Sequence, residues 1–348
     1  MQINSQFNLE IIKKLKSEGV NSKLYLVNDR QLGSNFILKQ IDKNNFNEVD
    51  KYFEEAKKIY NLNHPNIINI NTASYDDDYI YITMPYYRKG SLYSLIKNEN
   101  LSIRKIIKYT LDFLSALDYI HNKEIIHCDI KPNNILISDE DKALITDFGS
   151  ALYLDEYGNA RLKNVYYKHI APEQCISSCI NKKLDIYQVG TTLYRMCNSN
   201  EEYNNQLKKY KDLKSIKIAC AKGELPIRKK YLPHIPKSMI YIIEKCIKVN
   251  PNERYNNILD IMNDLAQINE NLDWNYKKID NNTFEWTLEI KNKVIKIKLY
   301  KKNNIWNVVE NKILIKQVDT KAKGYKIVRM IINKYKKNSL TLTDQVRL

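Results

Sequence analysis

The sequence predicts an α+β chain: a small sheet-rich lobe joined to a larger helical lobe, with a small α+β module appended at the C-terminal end. Three observations predict it. Residues 17–85 hold short runs of β-branched and aromatic residues around one helical stretch. From Gly90 to about Leu265 helical apolar spacing dominates. After "NLDW" the pattern reverts to strand-like alternation before one last helix.

Taken in order, "KLYLVND" and "FILKQI" are strands flanking the turn "RQLGSN". "NNFNEVDKYFEEAKKIYNLN" has helical spacing and ends before His64-Pro65, where proline disfavours a continuing helix. "IINI" and "YIYITM" are two further strands. In the helical part "RKIIKYTLDFLSALDYIHNK" carries the clearest apolar stripe. In the last part Phe284, Trp286, Leu288 and Ile290 share one strand face, and Ile295, Ile297 and Leu299 share another. "IWNVV" and "KILIKQV" continue a meander, and a helix with Tyr325, Val328, Ile331, Ile332 and Tyr335 on one side closes it. The expected boundaries are 1–85, 86–270 and 271–348. No internal repeat is visible.

Composition bounds the function. With 43% hydrophobic and 28% charged residues, the 348-residue chain can bury a sizeable core. It has no run of about eighteen uncharged apolar residues, and "MQINSQFNLEIIKKL" lacks the order of a signal peptide. A cytoplasmic protein without a transmembrane segment is expected. The six cysteines lack framework spacing and read as reduced core thiols; Cys175 and Cys179 have no second ligand pair for a metal. The net charge is +16, and residues 272–348 hold 18 Lys and Arg against 7 Asp and Glu, a net +11 in 77 residues. Such a module suits an anionic partner, nucleic acid or an acidic protein, unless lysine simply fills every solvated strand face.

Chemistry concentrates in "HCDIKPNN", residues 127–134, between two apolar runs. Phosphoryl transfer to a hydroxyl needs a carboxylate beside the hydroxyl, a cation for the phosphoryl group and ligands for magnesium. The stretch supplies all three, and it resembles the catalytic loop of the eukaryotic-type serine/threonine protein kinases. The rest of that family's series follows in order over residues about 10–268: "FILKQI", "TDFGS", "IAPEQ", "DIYQVG" and "NPNER". No family is recognised in the C-terminal module.

The resemblance implies a bilobal kinase-like fold and transfer from ATP with Mg²⁺. It gives Asp129 as base, Lys131 on the transferred phosphate, and Asn134 and Asp147 as metal ligands. Lys39 anchors ATP, with Glu55 as its ion-pair partner and Glu54 as the competing candidate. Gly19, Leu24, Ile37, Met84, Pro85, Tyr87 and Leu136 line the nucleotide site, with Leu136 as its floor. Adenine is bound by the Pro85 carbonyl and the Tyr87 amide, since Pro85 offers no donor. Glu173, Arg254 and Asp185 are expected to hold the scaffold.

Five departures limit the reading. The phosphate-covering loop is "SEGVNS", with Ser17 and Ser22 at its outer positions and only Gly19 left, so the hairpin tip is stiffer. Ile37 stands where the family prefers Ala, and Pro85 interrupts the linker donors. Cys128 replaces the Arg that clamps a phosphorylated activation segment, and residues 151–173 contain no Ser or Thr. Control by phosphorylation of that segment is therefore not expected. Tyr166 replaces a Thr that the serine/threonine enzymes usually carry. Lys131 and the Ala-Pro-Glu segment favour Ser/Thr hydroxyls of protein substrates. The alternatives are a pseudokinase scaffold, or a kinase lobe regulating a nucleic-acid-binding module in which Trp286 and Trp306 stack on bases.

Overall fold

The computed structural model describes residues 8–15, 22–45, 53–162, 169–228, 230–290 and 293–343, without the side chains of Glu55 and 336–343. The first sheet is antiparallel throughout, with order β1-β2-β3-β5-β4. Its strands are β1 (Leu9–Leu15), β2 (Ser22–Asp29), β3 (Ser34–Asp42), β4 (Thr72–Tyr75) and β5 (Tyr79–Pro85), with helix α1 (Glu54–Tyr60) crossing between β3 and β4. Leu38, Ile41, Ile80 and Ile82 are buried in it.

One expectation changes here, one strand was not anticipated, and one predicted helix is described only in part. "IINI" is not a strand: Ile67 and Ile68 are buried, and Ile68 N donates to Ile145 O at 3.0 Å as part of the seam with the helical lobe. Two adjacent buried residues, Ile67 and Ile68, lack the alternation that would distinguish a strand from any other buried segment. The strand that follows is β4, whose burial does alternate. Edge strand β1 was not anticipated, because its residues are mostly exposed and carry no two-sided pattern. Of the long predicted helix, the described part is Glu54–Tyr60, preceded by a 3₁₀ turn at Lys43–Asn45; residues 46–52 lie outside the described residues.

The helical lobe contains α2 (Leu92–Asn98) and α3 (Ile103–His121), followed by β6 (Ile125–Ile126), β7 (Ile135–Ile137), β8 (Ala143–Ile145), β9 (Leu152–Tyr153), β10 (Ala160–Arg161) and β11 (Cys179–Ile180). Then come α4 (Lys183–Asn198), α5 (Asn200–Leu207), α6 (Leu213–Ala221), α7 (Lys237–Cys246) and α8 (Ile258–Ala266). Ser102 starts α3 by accepting from Lys105 N, and its apolar stripe, including Ile106, Phe113, Leu117 and Ile120, is buried. Helix α4 is buried on all sides. Gly190 allows it to lie against α7, since a Cβ there would come within 2.5 Å of Cys246 Cβ and 2.7 Å of Ile247 Cγ2. Cys128, Cys197, Cys220 and Cys246 are buried thiols, but Cys175 is half-buried and Cys179 is exposed, so the expectation of core thiols fails at these last two.

The C-terminal part is a meander of five consecutive antiparallel strands: β12 (Asn275–Lys278), β13 (Thr283–Ile290), β14 (Lys293–Lys302), β15 (Ile305–Glu310) and β16 (Ile313–Val318). Helix α9 (Lys321–Thr343) packs on one face. Alternate residues build its core, where Trp286 and Ile297 are cross-strand partners and both fully buried. Trp306 is only 9% exposed and stacks on Phe284 with centroids 6.1 Å apart. Both tryptophans are thus core residues, and the base-stacking alternative is overturned for these two rings.

The meander is seated on the helical lobe. Arg104 binds Asp273 through two hydrogen bonds of 2.6 and 2.8 Å. Trp286 Nε1 donates to His234 Nδ1 at 3.1 Å, and Arg329 donates to the carbonyls of Tyr231, Leu232 and Pro233. Burial, helped by the Arg329 charge, lowers His234 to about 3, so this imidazole is neutral and can accept the indole hydrogen bond.

Candidate active site

The loop 127–134 leaves β6 and is hung from α4. Asp185, fully buried, accepts from His127 N at 2.9 Å, Cys128 N at 2.8 Å and the His121 ring at 2.7 Å. Burial opposes its charge, yet the His121 hydrogen bond and neighbouring amides hold its carboxyl below the usual range. One turn on, Gln188 accepts from Ile130 N and donates to Cys128 O, both at 2.8 Å. Thr192 Oγ donates to Ile130 O at 3.5 Å. Positions 185, 188 and 192 form one stripe of α4, so a single rigid helix fixes the loop backbone. Gln188, Thr192 and His121 were not read from the sequence. The signal was available as polar residues at helical spacing in an otherwise buried helix.

This anchoring turns the loop sharply. Cys128 has φ 65°, in the left-handed region. Its side chain is buried, its Sγ lies 3.8 Å from Ile126 O, and burial pushes the thiol well above its ordinary range. It is a neutral packing residue.

Asp129 projects from the anchored loop. Its Oδ2 receives Lys131 Nζ at 2.8 Å and Asn134 Nδ2 at 2.8 Å, and Asn134 Nδ2 also donates to the Asp129 carbonyl at 2.9 Å. Its Oδ1 is buried and has no hydrogen-bond partner among the described residues. Burial pushes the Asp129 carboxyl up, and Lys131 opposes that rise without cancelling it. On the other side of the site Asp147 follows β8 with φ 64°. Phe148 behind it is fully buried and meets the His127 ring edge-on, with centroids 4.9 Å apart. The His127 ring also hydrogen-bonds Thr146 O at 3.1 Å, tying the two loops together.

Lys39, from β3, reaches Asp147 Oδ1 at 3.1 Å. Burial works against the Asp147 charge, and the Lys39 ammonium outweighs it, holding the carboxyl below its ordinary range. The Glu55 side chain lies outside the described residues, while Glu54, the competing candidate, is exposed. The neighbouring Lys58 Nζ donates to Ala151 O at 2.8 Å, linking α1 to the segment after Asp147.

The expected nucleotide wall is contiguous where described. Leu24 pairs with Lys39, and Ile37 with Met84, in register across β2, β3 and β5. Pro85 ends β5 opposite Phe36. Tyr87 is partly buried against the helical-lobe core, with its carbonyl accepting from Gly90 N at 3.1 Å. Leu136 on β7 bridges to Ser91 just beyond that linker. Gly19 and Tyr166 lie outside the described residues. Arg254 and Glu173 form a two-bonded pair, both contacts 2.7 Å, away from this cluster.

Comparison with known proteins identifies the family. Residues 11–267 match the family described as the protein kinase domain. Serine/threonine-protein kinase PrkC of Bacillus subtilis is 30% identical over 264 residues, covering 74% of this chain and 40% of that protein. Serine/threonine-protein kinase PknD of Chlamydia trachomatis is 25% identical over 287 residues, covering 71% and 30%. The probable serine/threonine-protein kinase samkB of Dictyostelium discoideum is 35% identical over 161 residues, covering 43% and 27%. The chain spans 40% or less of the length of these three relatives. No helix among the described residues is long and apolar enough to cross a membrane. With the family match spanning residues 11–267, most of its length, the chain belongs to the protein kinase family.

Proposed function

We propose that this chain transfers the γ-phosphoryl group of ATP to Ser or Thr hydroxyls of protein substrates in a Mg²⁺-dependent reaction. Residues 1–85 and 86–270 act as its two lobes, and residues 271–348 are an appended module. The observation that carries the reading is Asp129: one carboxylate oxygen is held by Lys131 and Asn134, while the other is buried and unbonded among the described residues. Leaving a buried acceptor unpaired is costly in a resting fold and useful when a substrate hydroxyl completes the bond.

The donor set fits the expected cofactor. Asn134 spends its amide hydrogens on Asp129, which leaves its side-chain oxygen for a metal, and Asp147 supplies a second hard oxygen ligand. Bound ATP with Mg²⁺ supplies the phosphoryl group and neutralises charge on its oxygens. Lys39 orients the phosphates, with Leu24, Ile37, Met84, Pro85, Tyr87 and Leu136 around the base. Asp129 takes the proton of the incoming hydroxyl at Oδ1, and its raised pKa makes it a better base than an exposed aspartate. Lys131 lies beside it to meet the transferred phosphoryl charge.

The test is incubation of the purified chain with labelled ATP, Mg²⁺ and a mixture of proteins, with labelled sites identified by mass spectrometry. Labelling on Ser and Thr is expected, and Asp129→Asn should lower the rate by roughly 10²–10⁴-fold. Unchanged turnover in Asp129→Asn would remove the assignment of the base, and absence of turnover in the parent chain would favour a scaffold.

Activity should be independent of phosphorylation in the activation segment. Cys128 offers no cation for a phosphate, and the buried thiol is committed to packing. Phosphatase treatment is expected to leave the rate within about twofold, a barrier change under ~0.5 kcal/mol. A tenfold fall would show that another group reads a phosphotyrosine in that segment. For the basic module an acidic protein suits the observations better than nucleic acid, because Trp286 and Trp306 are buried.

A further inference from the structure

A groove of about 900 Å³ lies between α2, α5 and the C-terminal module, and none of the residues proposed for the nucleotide site lines it. Its apolar lining comes from Tyr231, Tyr276, Phe284, Tyr325 and Ile96. Its charge is unbalanced. Glu201 is paired with Lys278 at 3.1 Å, Glu202 with Lys230 at 4.0 Å, and Glu99 with Lys105 at 3.6 Å. Lys97, Lys208, Lys321, Lys326 and Arg329 also line the groove, and none of them forms an ion pair among the described residues.

Two of these cations are half-buried. The Lys321 ammonium sits 3.7 Å from the Phe284 ring centroid and 5.1 Å from that of Tyr325. The Arg329 guanidinium donates through Nε and Nη2 to carbonyls alone, those of residues 231–233. Burial disfavours the charge of both. Two lining residues also hold buried polar atoms without a hydrogen-bond partner among the described residues, Asn198 Nδ2 and Tyr231 Oη. A ligand that completes this groove must bring negative charge, acceptors and apolar surface together. At the rim stand Asn98, Asn100, Asn204 and Asn205, whose amides both donate and accept and so match peptide groups better than phosphates, which only accept.

We propose that this groove docks an acidic segment of a protein substrate, an extended stretch of Asp or Glu around an aromatic anchor. The word substrate rests on the kinase reading above; the charge and shape argument for an acidic peptide does not. By joining the module to the helical lobe, the groove gives residues 271–348 a role in choosing which proteins are phosphorylated.

The test uses the full chain without nucleotide and a short fluorescein-labelled peptide alternating Glu and Tyr, read by anisotropy. Binding is expected, weakening as salt rises. Lys97→Glu combined with Lys326→Glu, both exposed groove positions, should weaken it by about tenfold or more, because each reversal sets like charges face to face. Lys296→Glu combined with Lys301→Glu, exposed positions outside the groove lining, should leave it unchanged. Equal weakening by both pairs would overturn the site in favour of diffuse charge, as would displacement of the peptide by single-stranded RNA at lower concentration than by unlabelled peptide. Phosphorylation of a short Ser peptide without acidic residues should be the same in the parent and the Lys97/Lys326 variant. If the labelled peptide fails to bind while phosphotransfer proceeds, docking falls and the kinase reading stands. If it binds through the groove and no phosphotransfer occurs, the kinase reading falls and an acidic-peptide site remains.

Discussion

Asp147→Ala should abolish detectable phosphotransfer while the chain still unfolds cooperatively. The residue is half-exposed and contributes no apolar contact to the core, so its removal opens no cavity there. It does remove one contact of Lys39, at 3.1 Å, and one of the two oxygen ligands proposed for magnesium. Preorganised charge at a reacting centre is worth roughly 10²–10³-fold per group, so loss of a proposed metal ligand together with a contact that orients Lys39 should exceed that range. Backbone conformation supplies an internal control. Asp147 sits at φ 64°, which Asn tolerates and Ala does not, so Asp147→Ala adds ~1–2 kcal/mol of strain. Asp147→Asn should therefore lose nearly as much activity with a smaller loss of stability. Lys39→Ala should resemble it. Turnover measured beside urea unfolding separates the two effects, and near-parent turnover in either Asp147 variant would mean that the nucleotide site has been misplaced.

The polar cluster proposed as the site was legible because phosphoryl transfer needs particular side chains at short fixed separations. Asp129, Lys131 and Asn134 lie within six residues on one anchored loop, and the fold brings Asp147 and Lys39 to them. What positions the loop was less legible. Gln188 and Thr192 act on backbone amides and carbonyls, which every residue has, so nothing in the loop's own sequence names its partner. Asp185 was read only as a helix anchor, whereas it also receives two consecutive loop amides. The sheet differed from expectation where alternation was missing: at the exposed edge β1 and at "IINI", where Ile67 and Ile68 are consecutive buried residues. In the last module alternation was clear in β13 and β14 and their core faces were legible, whereas β12 was not anticipated and β15 and β16 do not alternate; Trp286 bonding to His234 and Arg329 capping three carbonyls join segments 52 and about a hundred residues apart. Local periodicity carries no information about such contacts. The groove was invisible for the same reason.

Glu173→Ala should act on stability instead of chemistry. Arg254 has a fully buried side chain and makes two 2.7 Å hydrogen bonds to the Glu173 carboxylate. Its remaining donors reach the carbonyls of Lys183, Lys248 and Val249, and its guanidinium lies 4.9 Å from the Tyr187 ring centroid. These groups satisfy its hydrogens but not its charge. Deleting the carboxylate strands a buried cation, which costs about 3–5 kcal/mol, more than an exposed pair could contribute. For a domain of this size that corresponds to a fall in Tm of roughly 10 °C, since ~1 kcal/mol moves Tm by about 2–4 °C. Glu173→Gln keeps the volume and two polar atoms, so its loss should be smaller. Combining Glu173→Gln with Arg254→Met removes the stranded charge and should be less damaging than the sum of the two single changes. Thermal unfolding gives the stability, and turnover well below the transition gives the rate per folded molecule, which should stay close to that of the parent. An unchanged Tm would remove the pair from the scaffold, and a lost rate with an unchanged Tm would move Glu173 into the machinery that handles substrate.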